Sequence, residues 1–317
     1  MAKVSGRHGA HLLATGRALT ISAWLTGVYF FVELGIGLYT SSIAVISDAF
    51  HTFSAVGGIL VAMVAARIAR RSPSLEKSFG WYRAEILGAL INGAFLLVMA
   101  LVVIAMGAMR LMSPIDLPTG PMLIAAAGGL ITEFISIYLL YDQQGRDLNI
   151  RGAFWHVLQT FIGSLIIIVA ALVIRYTGFL AIDPILGTAF GFVLLWASWG
   201  IMRDSMHVLM EGTPPGIDLK EISDALLKIN GVVDVHHLHA WALTSNRNVL
   251  SAHIRVADEA AMRSAAILEQ CHQLLSEVYD FYFSTLQVET TCLDEERASV
   301  IDVESRRIRI VSKSVNE

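Results

Sequence analysis

The chain of 317 residues is 55% hydrophobic and 16% charged, with mean hydropathy +0.61, an apolar share above that of a soluble domain. A net charge of −4 carries no nucleic-acid signature, and the chain holds no Gly-rich phosphate loop, HExxH pair or nucleophile elbow. Nucleotide hydrolysis and hydrolase chemistry are thereby excluded as expectations, and a non-enzymatic membrane role remains.

In chain order, apolar stretches near the ~20 residues a membrane span requires run over about 18–39, 43–66, 84–109, 121–141, 152–175 and 182–201. They predict six transmembrane helices. Basic residues fall on one side of them: Lys3, Arg7 and Arg17 before the first span, Arg67, Arg70, Arg71, Lys77 and Arg83 between the second and third, Arg146 and Arg151 between the fourth and fifth, and Arg203 after the sixth. The opposite loops offer Arg110 and Arg175. The positive-inside bias therefore puts both termini in the cytoplasm. The polar, basic first residues and the long first apolar run predict no cleavable signal.

Past residue 204 charge becomes frequent and the pattern changes to helix (Asp218 to Lys228), strand (Val232 to Trp241), strand (Val249 to Val256), helix (Glu259 to Val278) and strand (Phe283 to Glu289). The expected organisation is a cytoplasmic N-terminal segment 1–17, a six-helix transmembrane domain 18–203, a small α+β domain 204–296 joined through the EGTPPGID hinge, and a flexible tail 297–317. Cys271 and Cys292 belong to no CxxC pair and read as free, reduced thiols.

Ionisable side chains at membrane depth cost a few kcal/mol each, about 3 on insertion scales, and mark pathways or binding sites. His51 and His156 stand in the middle of long apolar segments, and Glu133 stands at mid-span in GGLITEFISIYLL. Asp48 lies one helical turn before His51 on roughly the same face. A transport or metal site is the expectation these four residues raise. A single intramembrane histidine is also what an interhelical hydrogen bond would use.

The runs GVYFFVELGIGLYTSSIAVISDAFHTFSAVGG, SFGWYRAEILGALING, RDLNIRGAFWHVLQTFIGS, AIDPILG, LMEGTPPGIDL, GVVDVHHLHAW and LSAHIRV resemble, in order, the cation diffusion facilitator family. The resemblance covers about residues 18 to 292. It implies a homodimeric, proton-coupled exporter of a divalent transition metal, zinc first, in a bacterial-type inner membrane. Six helices would be followed by a ferredoxin-like αββαβ domain in the cytoplasm. No cofactor is expected; the divalent metal is the substrate and also a candidate regulatory ligand, with protons, lipid and a second copy of the chain as partners.

Similar transporters carry HxxxD on the second and fifth helices. His51 and His156 match, while Ala55 and Thr160 occupy the aspartate positions. Two neutral imidazoles leave a dication without counter-charge in a low-dielectric bundle. Glu133, where similar proteins usually have asparagine, is the expected replacement, with Asp48 as ligand or orienting acceptor and Gln159 and Thr160 as neutral oxygens. Glu33 also matches a family position and reads as a packing or pathway group, Glu85 as a surface residue near Arg83, and Asn92 as an uncharged interior residue.

In the C-terminal domain, the family's HDLHVW strand becomes HHLHAW. His236, His239 and His253 match metal positions, His237 replaces the aspartate, and Phe283 stands at the last histidine position. Strict alternation puts His237 and His239 on one face and His236 on the other. That is an incomplete set with weak metal binding expected and Cys292 as an outside candidate. The competing reading, raised by the loss of both aspartates, is a non-transporting structural or regulatory partner of an active paralogue.

Overall fold

The structure, a computed structural model, describes residues 21, 24–69, 71–141, 148–244 and 247–292. The N-terminal segment, the loop between the fourth and fifth spans, and the tail from 297 lie outside the described residues, as do the side chains of Ala55 and His156.

Among the described residues six long helices come first: α1 over 24–40, α2 Ile43–Ala69, α3 Ala84–Met112, α4 Thr119–Tyr141, α5 Leu148–Thr177 and α6 Ile182–Leu209. Among the described residues, four stretches are long and apolar enough to cross a membrane: Ala84–Met112, Thr119–Tyr141, Val157–Thr177 and Ile182–Leu209. Apolar residues such as Trp24, Phe31, Ile124, Phe134 and Trp196 point outward, as on helices whose solvent is lipid rather than water. Inside, α4 and α5 pack through small residues, Ala125 and Ala126 against the Ile167, Ala170 and Ala171 region, which lets the backbones approach closely. The α2 N-terminus is held by Asp183 of α6, whose carboxylate accepts from the Ser42 hydroxyl, from Ile43 N at 2.8 Å and from Ala44 N at 3.3 Å. Orphan amides at a helix start are thus satisfied from another helix.

The chain divides into two compact units, with breaks after Arg67, Ile86 and Arg203; the second takes Ile68–Ile86 together with the chain from Asp204. Within this second unit α7 (Leu219–Leu226) is capped by Asp218, which accepts from Lys220 N at 2.8 Å. Strands β1 (Val232–Thr244) and β2 (Arg247–Val256) pair antiparallel, and α8 (Ser264–Glu277) carries the chain over to β3 (Phe281–Glu289), which joins β2 in parallel. The sheet order is β1-β2-β3, with a core of Ile222, Leu226, Leu250, Ile254, Cys271 and Leu275.

The helix expected from Glu259 begins instead as a 3-10 turn over Asp258–Arg263, because Arg263, at φ −106° and ψ 12°, interrupts the helical ladder before α8. The loop before α3 belongs to the same unit. Arg83 pairs with Glu211 at 2.9 Å, not with its neighbour Glu85, and the Arg247 guanidinium lies over both Tyr82 (4.2 Å) and Tyr282 (4.6 Å).

Candidate metal centres

Within the helical unit, α1, α2, α4 and α5 bring three carboxyl groups into one buried region. Glu33 is 0% exposed, Asp48 1% and Glu133 5%. Glu33 and Asp48 are in hydrogen-bond contact, and Glu133 lies within electrostatic reach of both. Thr52 donates to Glu33 Oε2 at 3.3 Å and Ser164 to Glu133 Oε1 at 3.0 Å, while Tyr29 OH donates to Ala125 O at 2.7 Å and lies 3.4 Å from Glu33 Oε1. Among the described residues no Lys or Arg forms an ion pair with any of the three.

Two glycines make room for this. A side chain at Gly163 would strike the Asp48 carboxylate, and one at Gly129 would stand 2.7 Å from Tyr29 OH and closer still to Ser164 Oγ. The Asp48 carboxyl therefore packs directly against the backbone of α5, and the Tyr29 and Ser164 hydroxyls against that of α4.

His51 is buried on α2 with its ring edge-on to Phe190 at 5.5 Å. His156 lies on α5, but its side chain falls outside the described residues. Thr160 is buried, yet its hydroxyl donates to Val157 O of its own helix at 2.8 Å. Gln159 is exposed. It is rotated about 100° along the helix from buried Thr160. Asn92 donates to Ser54 at 3.5 Å. The residue that sequence reasoning undervalued is Glu33, although a glutamate inside an apolar helix carried the same cost signal as Glu133.

The second centre lies on the sheet. His236, His237, His253 and Cys292 each offer a ligand atom, all within 4.8 Å of one another. The three imidazoles meet at interplanar angles of 64° to 87° with centroids 4.8 to 5.4 Å apart, and Cys292 Sγ is 3.7 Å from His237 Nε2. Strict alternation fails here. The β1–β2 register shifts between His236 and His239, and His237 takes φ +50°, so a bulge turns His237 toward His236. His239 pairs with Ser251 and stays outside the cluster.

Phe283 is half-exposed and contributes no ligand; farther along β3, Glu289 accepts from His236 Nε2 at 2.8 Å and meets His253 Nδ1 at 3.4 Å. Burial pushes the Glu289 carboxyl up, but the Gln287 hydrogen bond and the His253 and His236 contacts outweigh it and hold it below its ordinary value. Three nitrogens and one sulfur suit tetrahedral zinc, whose bond lengths imply ligand separations of about 3.5 Å. The group needs only a modest contraction, and Glu289 is placed to orient two of the imidazoles.

A helical membrane unit with buried carboxylates, joined to a sheet unit with a histidine–cysteine cluster, defines a membrane transporter of cations. Residues 19–210 match the cation efflux transmembrane domain and residues 214–291 the cation efflux protein cytoplasmic domain. The chain belongs to the cation efflux, or cation diffusion facilitator, family of metal transporters. It is 33% identical to the cation efflux system protein CzcD of Alcaligenes sp. over 93% of each chain. It is also 33% identical to the cadmium, cobalt and zinc/H(+)-K(+) antiporter of Bacillus subtilis (90% of this chain, 92% of that one). With the zinc transporter ZitB of Escherichia coli it shares 30% identity (86% and 87%).

Proposed function

We propose that this protein exports a divalent transition metal, zinc first, in exchange for protons. It would act as a homodimer with six spans, a ferredoxin-like C-terminal domain and both termini in the cytoplasm of a bacterial-type inner membrane. The relatives named for zinc, cadmium and cobalt efflux and for antiport support this reading. The observation that carries it is the group of three buried carboxyls on the membrane helices, with no Lys or Arg ion pair among the described residues and with Asp48 one turn from His51. A dication is the ligand that such a group lacks.

His51, His156, Asp48 and Glu133 hold the metal in this reading. Glu133 supplies the counter-charge that Ala55 and Thr160 do not. Metal enters from the cytoplasm, protons arriving from the far side at His51, His156 or Glu133 weaken its binding, and their loss resets the inward-facing state. The cluster of His236, His237, His253 and Cys292 serves as a regulatory metal site.

The test is metal-dependent proton flux in proteoliposomes of the purified protein across a metal panel. Zinc-driven flux lost in both His51→Ala and His156→Ala is the expected result. Flux absent for every metal, in a folded dimer that still binds zinc through its C-terminal domain, would favour the non-transporting partner instead.

A further inference from the structure

The Glu33–Asp48 contact leaves three buried carboxyls where the divalent-transporter reading uses two. Asp48 Oδ1 and Glu133 Oε2 are each fully shielded from solvent and have no hydrogen-bond partner among the described residues. Buried acceptors of this kind are rare, because each forfeits its solvation without replacement. The neighbours that point at this region are oxygens: the Thr52 and Ser164 hydroxyls and the Tyr29 phenol. The glycine backbones at 129 and 163 keep it clear of side chains from two helices.

We propose that Glu33, Asp48 and Glu133 form a second, all-oxygen cation position beside the histidine position, taking a hard divalent cation such as Mn2+ or Mg2+. Oxygen ligands with a high negative charge suit hard cations, whereas imidazoles suit zinc. Two carboxyls in hydrogen-bond contact share a proton, and a dication that displaces it meets three carboxylates and gives the two orphaned carboxylate oxygens a partner. Asp48 lies between the two positions, so a transported ion could be handed from one ligand set to the other. Glu33 is the residue that distinguishes the oxygen position. This inference rests on the transport reading, whose site shares Asp48 and Glu133.

The experiment uses the full-length dimer in detergent, with Mn2+ and Zn2+ titrated separately and transport of each followed in proteoliposomes. To keep the C-terminal cluster out of the signal, both titrations are made in a His237→Ala, Cys292→Ser background. Glu33→Gln is expected to weaken Mn2+ binding at least tenfold and to leave Zn2+ within threefold. His51→Ala is expected to do the reverse. Glu33→Asp, which keeps the charge, should recover part of the Mn2+ affinity.

Should Glu33→Gln fail to fold, electron spin echo of the Mn2+-loaded background protein still decides. The expected spectrum has no imidazole nitrogen coupling, and a histidine nitrogen on the Mn2+ overturns the proposal. Equal loss of both metals in folded Glu33→Gln overturns it too, as does zinc transport with no Mn2+ binding, which leaves the transport reading standing. Binding of neither metal removes both.

Discussion

Gly163→Ala puts one methyl group where the Asp48 carboxylate now rests on α5. Two effects oppose each other. Alanine in place of glycine stabilises a helix by about 1 kcal/mol. Overpacking a filled site costs roughly 1–3 kcal/mol, and if Asp48 swings away it also gives up its contact with Glu33, at about 1–3 kcal/mol for a buried polar group left unpaired. The steric and polar losses win, for a net destabilisation of about 1–5 kcal/mol, and a displaced ligand should lower metal affinity about tenfold for each 1.4 kcal/mol.

Thermal unfolding in detergent and metal titration of the same preparation read the two quantities. Gly35→Ala is the matched control, because nothing lies within 4 Å of the position its new methyl would take. In the double variant Gly163→Ala, Asp48→Ala the methyl meets no carboxylate, so the two changes should be strongly non-additive in stability. If Gly163→Ala matches the unaltered protein in both stability and metal affinity, Asp48 does not pack against α5, and the geometry argued for the membrane centre is wrong.

Cys292→Ser and His237→Ala should each lower zinc affinity of the C-terminal cluster at least tenfold by calorimetry, whereas His239→Ala should change it less than threefold; equal effects of all three would dissolve the proposed ligand set. Burial pushes the Cys271 thiol up to about 11, so iodoacetamide at pH 8 should label Cys292, more slowly when zinc is present, and leave Cys271 unmodified in the folded protein. Labelling of Cys271 at a comparable rate would contradict its burial in the sheet unit's core. Because the Glu289 carboxyl is held below its ordinary value, its contribution to stability is complete above the ordinary carboxylate range and is lost as pH falls through the lowered one. Glu289→Gln should therefore narrow the stability difference between pH 6 and pH 3, and an unchanged difference would show that the carboxylate does no such work.

The sequence by itself determined the membrane helices and the residues worth suspecting. In lipid each helix must satisfy its own backbone, so long apolar runs specify spans locally. An ionisable residue inside one, whether His51, Asp48 or Glu133, carries its cost wherever the helix goes. The αββαβ order of the second unit was equally local, being set by periodicities of two and 3.6 residues.

What only the tertiary structure decided are the meetings. Glu33 and Asp48 sit on different helices, and it is helix packing, with glycine at 163, that brings Asp48 onto α5 and Glu33 onto Asp48. Cys292 reaches His237 because β3 runs parallel to β2, passes His253 at Gln287 and ends beside Arg255, and His237 faces the cluster because a bulge overrides the alternation of its strand. Gln159 and Thr160 both read as site oxygens by their spacing from His156, and that Thr160 is buried while Gln159 is exposed depends on the helices beside α5. Side-chain direction along one element follows from its period, but which directions converge depends on the relative placement of several elements and on single irregularities in them, and neither is encoded in a local pattern.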